Sequence, residues 1–268
     1  MPLSDEEVER YARHIVLPEV GGPGQNKLKN SSVLVIGAGG LGAPLLLYLA
    51  AAGVGRLGIV DHDTVSLSNL QRQVIHTTGH VGVLKTESAA RQINSINPHV
   101  AVEQHRERIA PDNALKLMAQ YDIVADGCDN FPTRFMVSDA AYFAKKILVS
   151  AAVGQFDGQI STYKPHLKTP AGEPNPTYRC FVGDLPERGM FPACEQAGVM
   201  GALPGILGAM MAMEVVKELL EIGETLAGRI LMYDALWGRF FETKLAWNPD
   251  NPLTGRHPTI SSLDPVNY

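Results

Sequence analysis

Short apolar runs alternate with longer segments of helical period through the first half of the chain. Val33-Leu34-Val35-Ile36 is a compact run bounded by polar residues and glycine, the pattern of a strand buried on both faces. Comparable runs at residues 57–60, 100–104, 123–125 and 147–153 predict four more strands. Between them, residues 42–52, 85–96, 112–120 and 133–144 carry helical periodicity. Strands and helices alternating at such short spacings predict a doubly wound parallel sheet with a Rossmann-like core. At the start, residues 5–17 read as one helix, with Ser4 as N-cap and Asp5, Glu6 and Glu7 in its first turn. Pro18 ends it, and Gly21-Gly22-Pro23-Gly24 reads as a turn.

The rhythm changes after Gly154. Residues 159–163 look like a strand in a return connection, and residues 164–193 are rich in Pro and Gly without periodicity. A loop that long in a compact domain is usually functional or disordered. Residues 200–220 form a long apolar helix carrying Met200, Met210, Met211 and Met213, which reads as a core or dimer-packing helix. Late strands are predicted at 230–233 and 243–247, and the tail beyond Pro249 reads as irregular. The late strands extend the parallel core into a mixed sheet through antiparallel pairing.

Composition narrows the class. The 268 residues are 45% hydrophobic and carry a formal net charge of −5, ordinary for a soluble globular protein. Mild acidity without a Lys/Arg run gives no field to hold nucleic acid. No stretch approaches the roughly 20 apolar residues of a membrane span, and the acidic N-terminus is unlike a secretory signal, so the cytosol is expected. The three cysteines, Cys128, Cys180 and Cys194, are too scattered for a disulfide scaffold.

The chemistry begins at Gly37-Ala38-Gly39-Gly40-Leu41-Gly42, a GxGxxG motif after a buried strand and before a helix. Gly37 allows the tight turn, Gly39 lets backbone amides approach a phosphate, and Gly42 lets the helix pack closely. Asp61, ending the second strand, stands where a carboxylate can accept hydrogen bonds from ribose hydroxyls. These residues alone favour an NAD-dependent oxidoreductase at least as strongly as any ATP enzyme. The discriminating stretch runs from Asp61 to Gln73: Asp61 and Asp63, then Ser68-Asn69, then Arg72-Gln73, with Lys85 soon after. Cations following carboxylates at a strand end suit a triphosphate, whose departing pyrophosphate needs its charge neutralised.

That stretch resembles the DxDxVxxSNLxRQ signature of the ThiF/MoeB/HesA family, relatives of ubiquitin-activating enzymes. Arg10-Tyr11, Arg13-His14, Leu17-Pro18, Gly24-Gln25, the block Asp126-Gly127-Cys128-Asp129-Asn130 with Arg134, and the segment Cys194-Glu195-Gln196-Ala197-Gly198-Val199 agree with it. The likeness runs from Tyr11 to Pro249. It implies Mg²⁺- and ATP-dependent adenylylation of the C-terminal glycine carboxylate of a ubiquitin-like sulfur carrier (MoaD- or ThiS-like, ending Gly-Gly), with sulfur supplied by a separate persulfide donor. Gly37, Gly39, Gly40 and Gly42 would cradle the nucleotide. Asp61 would hold the ribose and Asn69, Arg72 and Lys85 the phosphates, with Asp63, Ser68 and Gln73 also part of the nucleotide site. Asp129, beside Asn130, would ligate Mg²⁺. Arg13 would reach the γ-phosphate across a homodimer interface.

The resemblance also implies one unit over residues 1–268, with a nucleotide core at 30–154 and a carrier-binding part at 155–250. The 164–193 loop would then close over the carrier's tail. Many members bind structural zinc through two CxxC motifs. Here those stretches read Thr177-Tyr178-Arg179-Cys180 and Asn251-Pro252-Leu253-Thr254, so no zinc is predicted. Cys194 corresponds to a residue linked in some members to acyl-persulfide chemistry, which makes it a candidate nucleophile. Ala193 and Glu195 supply no cation to activate it, and packing or dispensability is favoured. Cys128 also reads as packing. A catalytically inactive ubiquitin-activating-enzyme-like scaffold, or adenylylation of some other peptide, are the rival readings within the resemblance.

Overall fold

A computed structural model describes residues 2–186 and 198–268. Eight strands form one sheet in the order β3-β2-β1-β4-β5-β6-β7-β8. Strands β1 (Ser32–Ile36), β2 (Arg56–Val60), β3 (Ala101–His105), β4 (Ile123–Asp126) and β5 (Ile147–Val153) run parallel. Strands β6 (Asp157–Tyr163), β7 (Arg229–Asp234) and β8 (Arg239–Lys244) continue the sheet antiparallel. The predicted class, a parallel Rossmann-like core extended into a mixed sheet, is the architecture observed. β1 is buried throughout, and β8 is exposed throughout, so burial falls from the parallel centre to the antiparallel edge.

Helices cover both faces. α1 (Asp5–Arg10), α2 (Ala12–Ile15), α3 (Gly21–Lys29), α4 (Gly42–Ala52) and α5 (Lys85–Ile96) precede β3. α6 (Ala114–Met118), α7 (Phe131–Phe143), α8 (Tyr178–Val182) and α9 (Ala202–Leu220) come after it. One apolar cluster joins Val33, Val35 and Leu57 of the sheet to Leu45 and Leu49 of α4 and Leu207 and Met211 of α9. On the other face, Leu34, Val124 and Leu148 meet Phe135 and Val137 of α7. Alternate residues of one strand thus feed opposite cores. The long helix packs as core on its Leu203, Leu207, Met211 and Val215 face, while Ile206 and Met213 are exposed. No helix among the described residues is long and apolar enough to cross a membrane.

Three local expectations need correction. The first helix is two: Ser4 caps α1, accepting from the Glu7 amide at 3.2 Å, but the chain breaks at Tyr11. Tyr11 turns inward, packs flat against Gly53, and its hydroxyl accepts from the Asn97 amide at 2.7 Å. The expected turn at Gly21-Gly22-Pro23-Gly24 opens α3 instead. Pro23 lies in the first turn, where no intrahelical donor is needed, and Gln25 and Leu28 supply the buried face. The last strand lies at Arg239–Lys244 rather than 243–247, because the tight turn after Asp234 brings β8 back against β7 at once.

The stretch expected to be a patternless loop also carries structure. A bridge joins Lys168 to Pro174, and α8 buries Tyr178 and Arg179. Arg179 makes a fork on the Asp139 carboxylate of α7, with Nε to Oδ1 at 3.0 Å and Nη2 to Oδ2 at 2.8 Å. The Tyr268 hydroxyl donates to the same carboxylate at 3.0 Å. Burial pushes the Asp139 carboxyl up, with Arg179 pulling against it. Residues 187–193 of the expected loop, and Cys194, lie outside the described residues.

Removing one partner of such a pair strands the other charge in a low-dielectric interior. Arg179→Met is expected to cost about 3–5 kcal/mol in urea unfolding, and adding Asp139→Leu to restore most of it.

Candidate active site

The parallel strands all end on one side of the sheet, and a cleft of about 1100 Å³ opens there. Its walls are the segments that leave those ends: 37 and 39–41 after β1, 61–63 after β2, 107–109 after β3, and 127–131 after β4. β1 and β4 are neighbours in the sheet but not in sequence, so their connections diverge and leave a crevice. That is where ligands sit in open α/β sheets.

The glycine loop does what its spacing predicts. Gly37 has φ of +88°, a left-handed conformation costly for a side chain. At Gly42 a Cβ would stand 1.9 Å from the Gly37 carbonyl oxygen, so the third glycine is required by the loop itself. At Gly39 the nearest atom to a built Cβ is 3.7 Å away, leaving the backbone open to the cleft. Gly40 faces Pro204 of α9.

Asp61 is buried, and both its oxygens hold backbone. Oδ2 accepts from the Ala38 amide at 2.8 Å and Oδ1 from the Asp63 amide at 2.9 Å. Each oxygen keeps lone pairs for a hydroxyl in the cleft. The chain after Asp63 folds back on itself: Thr64 bridges Leu84, and the Lys85 amide donates to the Asp63 carbonyl at 2.9 Å. That return places the buried Lys85 ammonium 2.9 Å from Asp63 Oδ2. Burial alone would raise the Asp63 carboxyl; the hydrogen bond and charge of Lys85, helped by His62 and Arg108, bring it below its ordinary value.

Arg72 lines the cleft with one partner among the described residues, the Ser68 carbonyl at 3.2 Å. Gln73 also lines it, and its buried Oε1 has no partner among the described residues. A buried amide oxygen left unpaired is costly. Asp129 and Asn130 reach the cleft and are exposed, Asn130 donating to Asp129 Oδ1 at 3.3 Å and capping α7 through the Thr133 amide.

Other predicted residues are not brought to the wall. Asn69 is buried and turned inward: its Oδ1 faces the Ser66 amide at 3.4 Å, and its carbonyl accepts from the amides of Arg72 and Gln73. Ser68 is exposed and pairs with Ser66. Arg13 is exposed on α2, away from the cleft. Cys128 does line the cleft, but burial and the Asp126 charge push its thiol well up, which suits packing rather than nucleophilic attack.

Sequence reasoning assigned no role to four participants, Arg108, Asp126, Arg134 and His76. Arg108 hydrogen-bonds His62 at 3.1 Å across the cleft's rim. Asp126, wholly buried at the end of β4, accepts from the Cys128 amide at 2.9 Å and lies 3.6 Å from Arg134. Arg134 in turn donates to the carbonyls of Ala151 and Cys128, and Asp126 holds its proton above the usual guanidinium range against the cost of burial. His76 lies behind the glycine loop, 2.9 Å from the Ala38 carbonyl. Arg108 stands three residues past the carboxyl end of β3 at His105, a position that the parallel strand order alone marks as part of the crevice.

The ThiF family model matches residues 11–253. The sulfur carrier protein adenylyltransferase of Thermus thermophilus is 48% identical over all of this chain and 97% of its own length. The SAMP-activating enzyme E1 of Haloferax volcanii is 43% identical over 100% of this chain and 96% of its own. The adenylyltransferase and sulfurtransferase MOCS3 of Mus musculus is 43% identical over 97% of this chain, which spans 55% of that longer protein. Among solved structures, E. coli MccB superposes with a TM-score of 0.79 at 21% identity, covering 92% of this chain and 73% of MccB. That likeness shows the fold.

Replacing Asp61 by Ala leaves the Ala38 and Asp63 amides without their acceptor in a buried loop. The expected cost is about 1–3 kcal/mol, read in urea unfolding.

Proposed function

The chain belongs to the ThiF family, and on that premise we propose that it transfers AMP from ATP to the C-terminal carboxylate of a ubiquitin-like sulfur carrier. The observation that carries the reading is the cationic wall. Arg72 and Lys85 face one cleft beside the glycine loop, and Arg72 has no carboxylate partner among the described residues. A dehydrogenase has no use for such charge next to its nicotinamide. A triphosphate does.

The attacking carboxylate of the carrier's terminal glycine is ionised at neutral pH, so no general base is needed. It adds to the α-phosphorus, the bond to the bridging oxygen breaks, and pyrophosphate leaves with the electron pair. Catalysis is then alignment plus charge stabilisation. The glycine loop and the α4 N-terminus bind phosphate oxygens, and Asp61 accepts from the ribose. Arg72 and Lys85 take up the charge that grows on the leaving group. Asp63 holds Lys85 in place until the anion arrives, and the Gln73 Oε1, unpaired among the described residues, is free to accept a donor from the nucleotide. Asn69 acts at one remove, holding the turn that presents Arg72 and Gln73. Ser68 holds Arg72 through its carbonyl.

Asp129, exposed on the cleft wall without a cation beside it among the described residues, is the residue that would hold Mg²⁺, which would neutralise triphosphate oxygens. Arg13 would complete the phosphate site from the second subunit of a homodimer. Residues 155–250 would receive the carrier's Gly-Gly end, with α8 as one wall. Sulfur would come from a separate persulfide donor, and the ATP supply points to the cytosol. Thr177, Cys180, Asn251 and Thr254 meet, but through hydrogen bonds: Asn251 Nδ2 lies 3.0 Å from both Thr177 Oγ1 and Cys180 Sγ. One thiol among four such side chains is a poor tetrahedral zinc set.

ATP–pyrophosphate exchange dependent on a small ubiquitin-like protein ending Gly-Gly tests the reading; hydride turnover with NAD instead would overturn it. Arg72→Ala and Lys85→Ala are each expected to lower exchange about 10²- to 10³-fold with folding retained. Asp129→Ala and Arg13→Ala should also lose exchange, and full activity in either would remove that residue from the site. Metal analysis of the purified protein is expected to find no stoichiometric zinc.

A further inference from the structure

Behind the glycine loop lies a chain of hydrogen bonds that the reaction scheme leaves unused. His76 Nε2 is 2.9 Å from the Ala38 carbonyl, and His76 Nδ1 is 2.8 Å from the Ser88 hydroxyl. The same hydroxyl is 2.8 Å from His80 Nδ1. His76, Ser88 and the Ala38 peptide are buried, and His80 stands at the solvent end.

The proton positions are set by the partners. A carbonyl oxygen can only accept, so His76 Nε2 carries a hydrogen. Burial holds the His76 ring below its ordinary pKa, with the Ala38 carbonyl opposing and the Lys85 charge adding to the depression. The ring is therefore neutral, and its Nδ1 is bare and must accept. Ser88 has one proton and gives it to His76, so His80 Nδ1 must donate to Ser88. Each link fixes the next, and the chain ends with one N–H aimed at one carbonyl.

That carbonyl belongs to the 38–39 peptide. A trans peptide sets its C=O and N–H on opposite sides, and the described residues contain no cis bond. With the Ala38 carbonyl turned back to His76, the Gly39 N–H must point the other way. Gly39 lines the cleft, and its N–H meets no acceptor among the described residues. Asp61 grips the preceding peptide by the Ala38 amide at 2.8 Å. The two peptides flanking Ala38 are thus held from behind, one by a carboxylate and one by an imidazole.

We propose that His76 is a positioning residue that aims the Gly39 amide at a nucleotide phosphate, with Ser88 and His80 locking the tautomer this requires. The inference rests on the reading that this cleft holds ATP. Without the imidazole, the peptide is free to turn its carbonyl into the cleft, replacing an attraction for phosphate by a repulsion.

Dissociation constants for ATP and for adenosine separate the possibilities. Loss of one aimed amide weakens ATP about tenfold, so His76→Leu should show that loss with adenosine unchanged, together with a lower melting temperature from the buried Ala38 carbonyl left without its donor. His76→Gln, whose amide nitrogen can reach where Nε2 stood, should recover most of the affinity. If the Leu variant does not fold, Ser88→Ala keeps His76 in place and frees its tautomer; a smaller loss confined to ATP is expected. Unchanged ATP affinity in both variants, or an equal loss for ATP and adenosine, would overturn the assignment. A wild-type protein that bound no ATP at all would sink the functional reading itself, and this inference with it.

Discussion

Asp61 gives both oxygens to backbone amides, one from the glycine loop and one from its own strand end. The loop after β1 and the loop after β2 are thereby one rigid unit, although 23 residues separate Ala38 from Asp61. Much of the site depends on this tie. The loop cannot relax away from the cleft because its Ala38 amide is held, and Gly42 cannot drift because its Cα lies against the Gly37 carbonyl. Preorganisation of this kind is what electrostatic catalysis needs, since donors that must reorient during reaction lose their advantage. A carboxylate so deeply committed to the backbone still keeps lone pairs facing the cleft, so one side chain can carry a structural and a binding role.

Charge is distributed on the same principle. Among the described residues the cleft carries Lys85 and Arg72 on one rim and Arg108 near His62 on another. Lys85 is buried and pairs with Asp63, which is half-exposed, so the pair remains open to exchange for an anion. Arg72 is less buried and needs none. Arg134, also buried, has Asp126 at 3.6 Å and three oxygen acceptors, and serves to lock the β4 end, α7 and β5 together. The two buried cations each have a carboxylate nearby, and the less buried Arg72 has none among the described residues.

Much of this is legible in the residues because strand runs and the glycine spacing are local signals. β1, α4, β2 and the carboxylate at the end of β2 are adjacent in sequence, so periodicity and spacing reach all of them. Lys85 is legible as chemistry, yet its pairing with Asp63 depends on a backbone return between residues 64 and 84 that no local pattern announces. Asn69 reads as a ligand beside Arg72, and only the structure adds that its oxygen closes a turn. His76 looks like any lone histidine in an apolar neighbourhood; its meaning comes from Ala38, 38 residues earlier, and Ser88, 12 residues later. α3 and α8 are hidden by Gly and Pro, residues that break helices in their interior but are tolerated at their first turn and ends.

The wall formed by α8 is fastened to the rest of the chain by side-chain hydrogen bonds. Thr177, just before the helix, accepts from Asn251 at 3.0 Å, and the same Asn251 amide reaches Cys180. Asn251 Oδ1 meanwhile accepts from the amides of Leu253 and Thr254. One amide side chain therefore binds the start of α8 to the chain near its C-terminal end, using neutral hydrogen bonds where a metal would use charge. Neutral bonds of this kind are individually weak, and α8 has only five residues, too short to be stable alone. It persists because Arg179 fastens it to α7 by a buried fork on Asp139, and Tyr178 packs edge-on against Phe135. Held from both sides, the helix presents Phe181 and Val182 to the cleft as a fixed apolar surface. The cleft thus combines cationic side chains with an apolar wall at α8, the combination a nucleotide joined to a peptide tail requires.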